Sequence, residues 1–78
     1  MPLVKALGIA KSVCGWGEAS IEAHDIAQLL SNLPVQLSDM YKKGEVVIII
    51  NGTELRSADR QSLNESDSVY LLPVVHGG

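Results

Sequence analysis

Apolar residues along this chain recur with two different periods, and the changes of period divide it into elements. In "PLVKALGIA", Leu3, Lys5 and Leu7 share one parity and Val4, Ala6 and Gly8 the other. This loose alternation predicts a first strand, with a short helix as the other reading of so imperfect a pattern. Two glycines around Trp16 in "SVCGWGE" predict a loop or turn. "ASIEAH" then predicts a second strand, Ile21 inward and Glu22 outward, that forms a hairpin with the first. The period changes at Asp25. Ile26, Leu29, Leu30 and Leu33 follow i, i+3, i+4, i+7 spacing, and Pro34 closes the run. An amphipathic helix with its leucines against a sheet is predicted, and Asp25 with Gln28 fits a capping box. "VQLSDMYKKG" reads either as a helical turn or as an irregular connection closed by Gly44.

The second half returns to strand patterns. Val46 to Ile50 is an unbroken β-branched run, which predicts a strand buried on both faces or nearly so. Asn51-Gly52 predicts a two-residue hairpin turn, because both residues tolerate positive φ, and "TEL" is the short returning strand. "RSADRQSLNESD" is polar, with Leu63 as its apolar anchor and "ESD" reversing the chain. "SVYLLPVV" predicts a last strand. If Val69 and Leu71 face the helix, Tyr70 and Leu72 face out. Leu72 is then either a contact for a partner or a residue lying over the sheet edge. Pro73 has no N–H to donate, so pairing is expected to fail near it, and the chain beyond leaves as an extended, slim arm.

Two hairpins flanking one helix predict an α+β domain of the β-grasp type, a mixed sheet packed on one main helix. The expected division is a β-grasp domain over 1–75 and a flexible diglycine tail over 76–78. At 78 residues there is no room for a second core. The hydrophobic share of 46% excludes a disordered chain, and the absence of Phe leaves the core to Val, Leu, Ile and Ala. Six bases are scattered among nine acids, so no phosphate-tracking patch forms and nucleic acid is not an expected partner. No apolar run approaches the length of a membrane span, and the N-terminus lacks the features of a secretory signal. A single cysteine, Cys14, makes no internal disulfide, which fits a cytoplasmic protein.

The chemistry-bearing residues are few. His24 and His76 are far apart, neither neighbours a Cys, and the serines lack a nucleophile-elbow frame. One Cys and two His show no zinc-ligand spacing. The chain is therefore not expected to be an enzyme or a metal protein. "CGWG" lacks the second cysteine of a redox pair, which leaves Cys14 as a small packed residue. Trp16 reads as a cap on the edge of the core, unless its exposure marks a contact site. "GWGEAS" has neither the spacing nor the lysine of a phosphate loop.

What remains is the terminal "VVHGG". A diglycine ending arises by chance in about one chain in two hundred, and stability does not ask for it, because glycine buries nothing and loses the most freedom on ordering. The preceding frame is more specific. Leu63, Asp67, Val69, Pro73, Val75, Gly77 and Gly78 fall in register on the pattern L-x-D-G-D-x-V…P-x-V-x-G-G. That pattern resembles the C-terminal stretch of the ThiS/MoaD sulfur-carrier family, ubiquitin-like β-grasp proteins. "IIINGTEL" also resembles the family's V-N-G strand-turn, at Asn51 and Gly52. The Pro-Val spacing looks more like the molybdopterin synthase small subunit than the thiamine-pathway carrier. One departure stands out: Ser66 occupies the place of a usual glycine, implying either a different turn or some strain at positive φ.

The resemblance implies a function for the tail. A ubiquitin-activating-type enzyme, using ATP-Mg, would adenylate the Gly78 carboxylate, and a sulfur donor would convert it to a thiocarboxylate. Gly77 would keep the arm thin. Leu72, Pro73, Val75 and His76 would meet a partner, either that enzyme or a larger synthase subunit to which sulfur is delivered. No permanently bound cofactor is implied. Three functions share these residues. They are a sulfur carrier for the molybdenum-cofactor or thiamine pathway, a protein modifier joined through Gly78 to target lysines, and an interaction module whose diglycine is incidental.

Overall fold

The computed structural model describes residues 1–55 and 61–74. Among them, the elements run β1 (Leu3–Ala6), α1 (Ile9–Cys14), β2 (Glu18–Ser20), α2 (Ile26–Ser31), α3 (Val35–Lys42), β3 (Val46–Ile50), β4 (Thr53–Glu54) and β5 (Ser68–Pro73). The strands form one mixed sheet in the order β2-β1-β5-β3-β4. Its first and last strands meet in the middle: β1 and β5 run parallel from Leu3↔Ser68 to Ala6↔Leu71. The other pairings are antiparallel. This is the mixed-sheet α+β arrangement that the order of elements predicts.

One face of the sheet carries the core. Val4 and Ala6 of β1, Val46, Ile48 and Ile50 of β3, and Val69 and Leu71 of β5 are buried there against Ala10, Ile26, Leu29, Leu37 and Tyr41 from the helices. Val69 and Leu71 face the helices and Tyr70 and Leu72 face out, as their parity predicts. The β-branched run is not buried on both faces: Val46, Ile48 and Ile50 are buried, whereas Val47 and Ile49 are half-exposed. All the described helices lie on one side, so the other side keeps partial contact with solvent.

The helical layer differs most from expectation, since three short helices among the described residues share the work assigned to one. The helix predicted after Asp25 is present as α2. Asp25 caps it by accepting from the Gln28 N–H at 2.7 Å. The reciprocal bond of the capping box goes one residue further back, from the His24 N–H to Gln28 Oε1 at 2.6 Å. The ambiguous "VQLSDMYKKG" forms α3. It ends in a Schellman arrangement, Gly44 N–H to Tyr41 O and Glu45 N–H to Met40 O, with Gly44 at φ 77°. α1 begins at Ile9, inside the segment read as a first strand with a short helix as the other reading, and runs into the segment read as a loop around Cys14. It buries only Ala10 fully. So short a helix shows no periodic stripe in sequence.

α1 also displaces the second strand. β2 is Glu18–Ser20, earlier than "ASIEAH" suggests, and its connection to β1 contains a helix rather than a tight turn. Pairing with β1 stops because Pro2 has no N–H to offer. Its carbonyl accepts the last bond, from the Ile21 N–H at 3.1 Å. Ile21 is nevertheless half-buried and Glu22 exposed, the orientation that their parity predicts. The Asn51-Gly52 turn is as expected, φ 49° and 87°, with Ile50 opposite Thr53. Ser66 is unstrained, because Asn51 is the one non-glycine residue at positive φ among the described residues.

The burial pattern of β5 sets a test. Replacing Leu71, with 0% exposure between β1 and β3, by Ala is expected to cost about 2–5 kcal/mol of unfolding free energy. Leu72→Ala, on the half-exposed face, is expected to cost about 1 kcal/mol or less. Urea denaturation of the two variants compares them directly, and equal losses would contradict the assignment of faces.

Candidate functional site

Two of the residues with predicted roles lie at the C-terminal end of β5. Leu72 and Pro73 are the last two residues of that strand. Val75, His76, Gly77 and Gly78 lie outside the described residues, as does the boundary between domain and tail. Leu72 does not lie over a sheet edge, because β5 is the middle strand and Leu72 stands opposite Val47. Leu7, one residue past the Ala6↔Leu71 pair, is 46% exposed at the same end of the sheet. Leu7, Leu72 and Val47 therefore form an apolar margin beside the point where the chain leaves the sheet.

Polar groups flank that margin. In register across the outer face stand Glu18, Lys5, Tyr70, Ile49 and Glu54. The Lys5 ammonium lies 5.6 Å from the centre of the Tyr70 ring and 3.9 Å from Glu18 Oε1. Both contacts are exposed, so they orient Lys5 across the face more than they stabilise the fold.

Pairing does not fail at Pro73 as expected. Val46 faces Pro73, and the Val74 N–H still donates to Glu45 O at 3.0 Å. The reason is the alternation of strand hydrogen bonding. Leu71 O accepts from Leu7 N–H on the β1 side, so Pro73 turns its missing donor to that side and Val74 turns its donor to β3. β1 has already given way to α1 there, and no ladder bond is lost. Gly8 and Glu45 thus adjoin the root of the tail, and neither carries a sequence signal of function. Gly8 looks like the end of an alternating run, and Glu45 like a solvated charge before a strand.

At the opposite end of β5, the motif residues Asn51 and Asp67 meet. Asn51 Nδ2 donates to Asp67 Oδ1 at 2.9 Å, and Asn51 Oδ1 accepts from the Ser68 N–H at 3.0 Å. Asp67 Oδ2 accepts from the Asn64 N–H at 2.8 Å. The hairpin turn, the "ESD" turn and the start of β5 are thereby locked together. These bonds favour the ionised carboxylate and hold the Asp67 pKa below its usual value, the Asn64 N–H first and the Asn51 amide second.

His24 is exposed before α2. Cys14 is half-buried, and burial pushes its thiol pKa up, away from the reactive thiolate. Trp16 packs half-buried against the core. No cluster of His, Cys, Asp or Glu among the described residues could hold a metal ion. A cavity of about 390 Å³ opens between α2 and α3 on the helical side, and no residue with a predicted role lines it. No described helix is long and apolar enough to cross a membrane.

No protein-family model matches this sequence, and no curated protein matches it. Among solved structures, the fold is similar to the solution structure of the small archaeal modifier protein 1 (SAMP1) from Methanosarcina acetivorans. The TM-score is 0.75 at 21% sequence identity, over 99% of this chain and 95% of that one. That likeness establishes a ubiquitin-like β-grasp fold.

The Asp67 geometry has a pH signature. A carboxyl with a depressed folded-state pKa contributes stability that is fully present above its unfolded value of about 3.9. That contribution disappears as pH falls through the folded value. The midpoint of urea denaturation is therefore expected to drop as pH is lowered from about 5. In Asp67→Asn, stability at pH 7 should be lower and the acid slope shallower; an unchanged slope would show that the network is energetically idle.

Proposed function

We propose that this chain is a ubiquitin-like sulfur carrier whose C-terminal glycine is the working group. The observation that carries the reading is the placement of β5. The strand before the diglycine is the central one, held on both sides, and it delivers the chain past Pro73 beside the apolar margin of Leu7, Leu72 and Val47. A rigid base and a thin tail suit insertion into a narrow active site. The ubiquitin-like fold supports the same reading.

The chemistry follows from the weakness of a carboxylate as an electrophile. In this reading an activating enzyme transfers AMP from ATP to the Gly78 carboxylate, releasing pyrophosphate and forming an acyl-adenylate. Hydrosulfide supplied by a sulfur donor attacks the acyl carbon, the bond to AMP breaks and AMP leaves, and loss of the sulfur's proton leaves a thiocarboxylate. Leu72 and Pro73, with Val75 and His76 beyond them, make the contacts that guide this arm into the activating enzyme and then into a larger synthase subunit. The resemblance of the Pro73–Val75 spacing to that of the molybdopterin synthase small subunit is the support for such a synthase over a thiamine-pathway acceptor.

A second reading has specific support, because a similar solved structure is that of a modifier protein. There the same acyl-adenylate is passed on, directly or through a thioester, to a lysine amine of a target protein, leaving an isopeptide bond.

Intact mass spectrometry tests both. After incubation with a ubiquitin-activating-type enzyme, ATP-Mg and a sulfur donor, the carrier is expected to gain the mass difference of one sulfur for one oxygen. Lysine-linked adducts in cell extract, without that shift, would favour the modifier. Deletion of Gly78 should abolish either product; products that survive the deletion would remove the tail from both mechanisms.

A further inference from the structure

We propose that Gly8 and Pro73 form a steric clamp at the root of the tail, completed on its other flank by the Val74–Glu45 hydrogen bond. The clamp fixes the direction in which the chain leaves the sheet and so positions the residues beyond Val74 for activation. That consequence rests on the function proposed above, whereas the geometry does not.

Gly8 carries the first half of the argument. It sits at φ 59° and ψ −132°, a conformation that L side chains rarely adopt. A Cβ on Gly8 would stand 2.9 Å from Pro73 Cγ, with Pro73 Cδ at 3.5 Å and Pro73 Cβ at 3.8 Å. The proline ring therefore occupies the space over the Gly8 backbone, where β1 turns into α1. The last ladder bond on that flank is Leu7 N–H to Leu71 O at 3.1 Å. Past it the ring, rather than a hydrogen bond, fixes the side-to-side position of β5.

The opposite flank is held differently. Val74 donates to Glu45 O at 3.0 Å, and Glu45 is itself fixed by its N–H to Met40 O at 2.8 Å in the terminal turn of α3. Two helix ends thus grip the final residues of the strand, the start of α1 from one side and the end of α3 from the other. The Pro73 ring adds a fixed φ at the same place. A strand end without such restraints frays, and fraying here would spread the tail over many directions. A displacement of about 1 Å in a reacting group can cost about 10²-fold in rate. Gly8 is a positioning residue in this scheme, because it acts only through Pro73.

The test uses the whole chain and two independent readouts. Pro73→Ala removes the ring while leaving Gly8 undisturbed. Hydrogen exchange of the Val74 amide, followed by NMR, reports the clamp itself. Pyrophosphate release with a ubiquitin-activating-type enzyme and ATP-Mg reports its consequence. In Pro73→Ala, Val74 exchange is expected to quicken about tenfold or more while the core amides of Ile48 and Leu71 keep their protection. Adenylation kcat is expected to fall about tenfold. Pro73 is also one of the proposed partner contacts, so KM is expected to rise with it, and Val74 exchange, measured without the enzyme, reports the clamp separately from that contact. Gly8→Ala should loosen Val74 by pushing on the Pro73 ring from the same flank, and adding Pro73→Ala should relieve the overlap part of its defect. If Gly8→Ala does not fold, Pro73→Ala decides alone. Unchanged Val74 exchange in Pro73→Ala overturns the clamp, and faster exchange with unchanged kcat overturns its positioning role. A wild-type protein that is not adenylated overturns the proposed function instead, and Val74 exchange then decides whether the clamp exists.

Discussion

The parallel ladder between β1 and β5 is the constraint on which this domain depends. It brings the two ends of the described chain to the middle of the sheet, so every other element is arranged around a strand pair that no local turn can close. β2 and β3 then have one free flank each to occupy. The helices must cover the face on which Val4, Ala6, Val69 and Leu71 are wholly buried. Because the chain reaches β5 last, the residues that follow depart from the most restrained part of the sheet rather than from an edge.

Much of this was legible from residues whose signals are local. The i, i+3, i+4, i+7 pattern after Asp25, the Asn51-Gly52 turn and the parity of Val69, Tyr70, Leu71 and Leu72 each need only a few neighbours to be read. The errors lie where burial is decided by distant residues. α1 and α3 offer too few buried positions to show a stripe, Ala10 in one and Leu37 and Tyr41 in the other, and they exist because the sheet supplies their other half. β2 starts early because its register is dictated by β1 and stopped by Pro2, neither of which its own sequence contains. The strand Val46 to Ile50 shows the converse: it is apolar at successive positions, and only the one-sided placement of the helices separates its core face from its margin. For the candidate site, the place of Leu72 and Pro73 at the end of the last strand was legible, but the closeness of Gly8 to Pro73 was not, since that contact appears only after folding.

The motif frame separates into two kinds of residue. Asn51 and Asp67 bond to each other, and Leu63 is buried near the start of α2, where its N–H donates to His24 O at 2.8 Å. These hold turns in place at the end of the sheet remote from the tail root. Their presence in the frame therefore argues for the fold. Pro73 stands at the other end, at the C-terminal end of β5. The functional reading depends on that second group alone.

The placement of β5 also bears on how the domain comes into being. A chain emerging from the ribosome presents β1 early, yet the partner that completes the centre of the sheet, Ser68 to Pro73, arrives near the end of the described sequence. Pairing between such distant segments carries a large loop-closure cost and forms late. The helical layer lacks a complete surface to pack against until then. Assembly of the sheet consequently waits for Ser68 to Pro73, and a chain halted before them would lack the centre of the sheet.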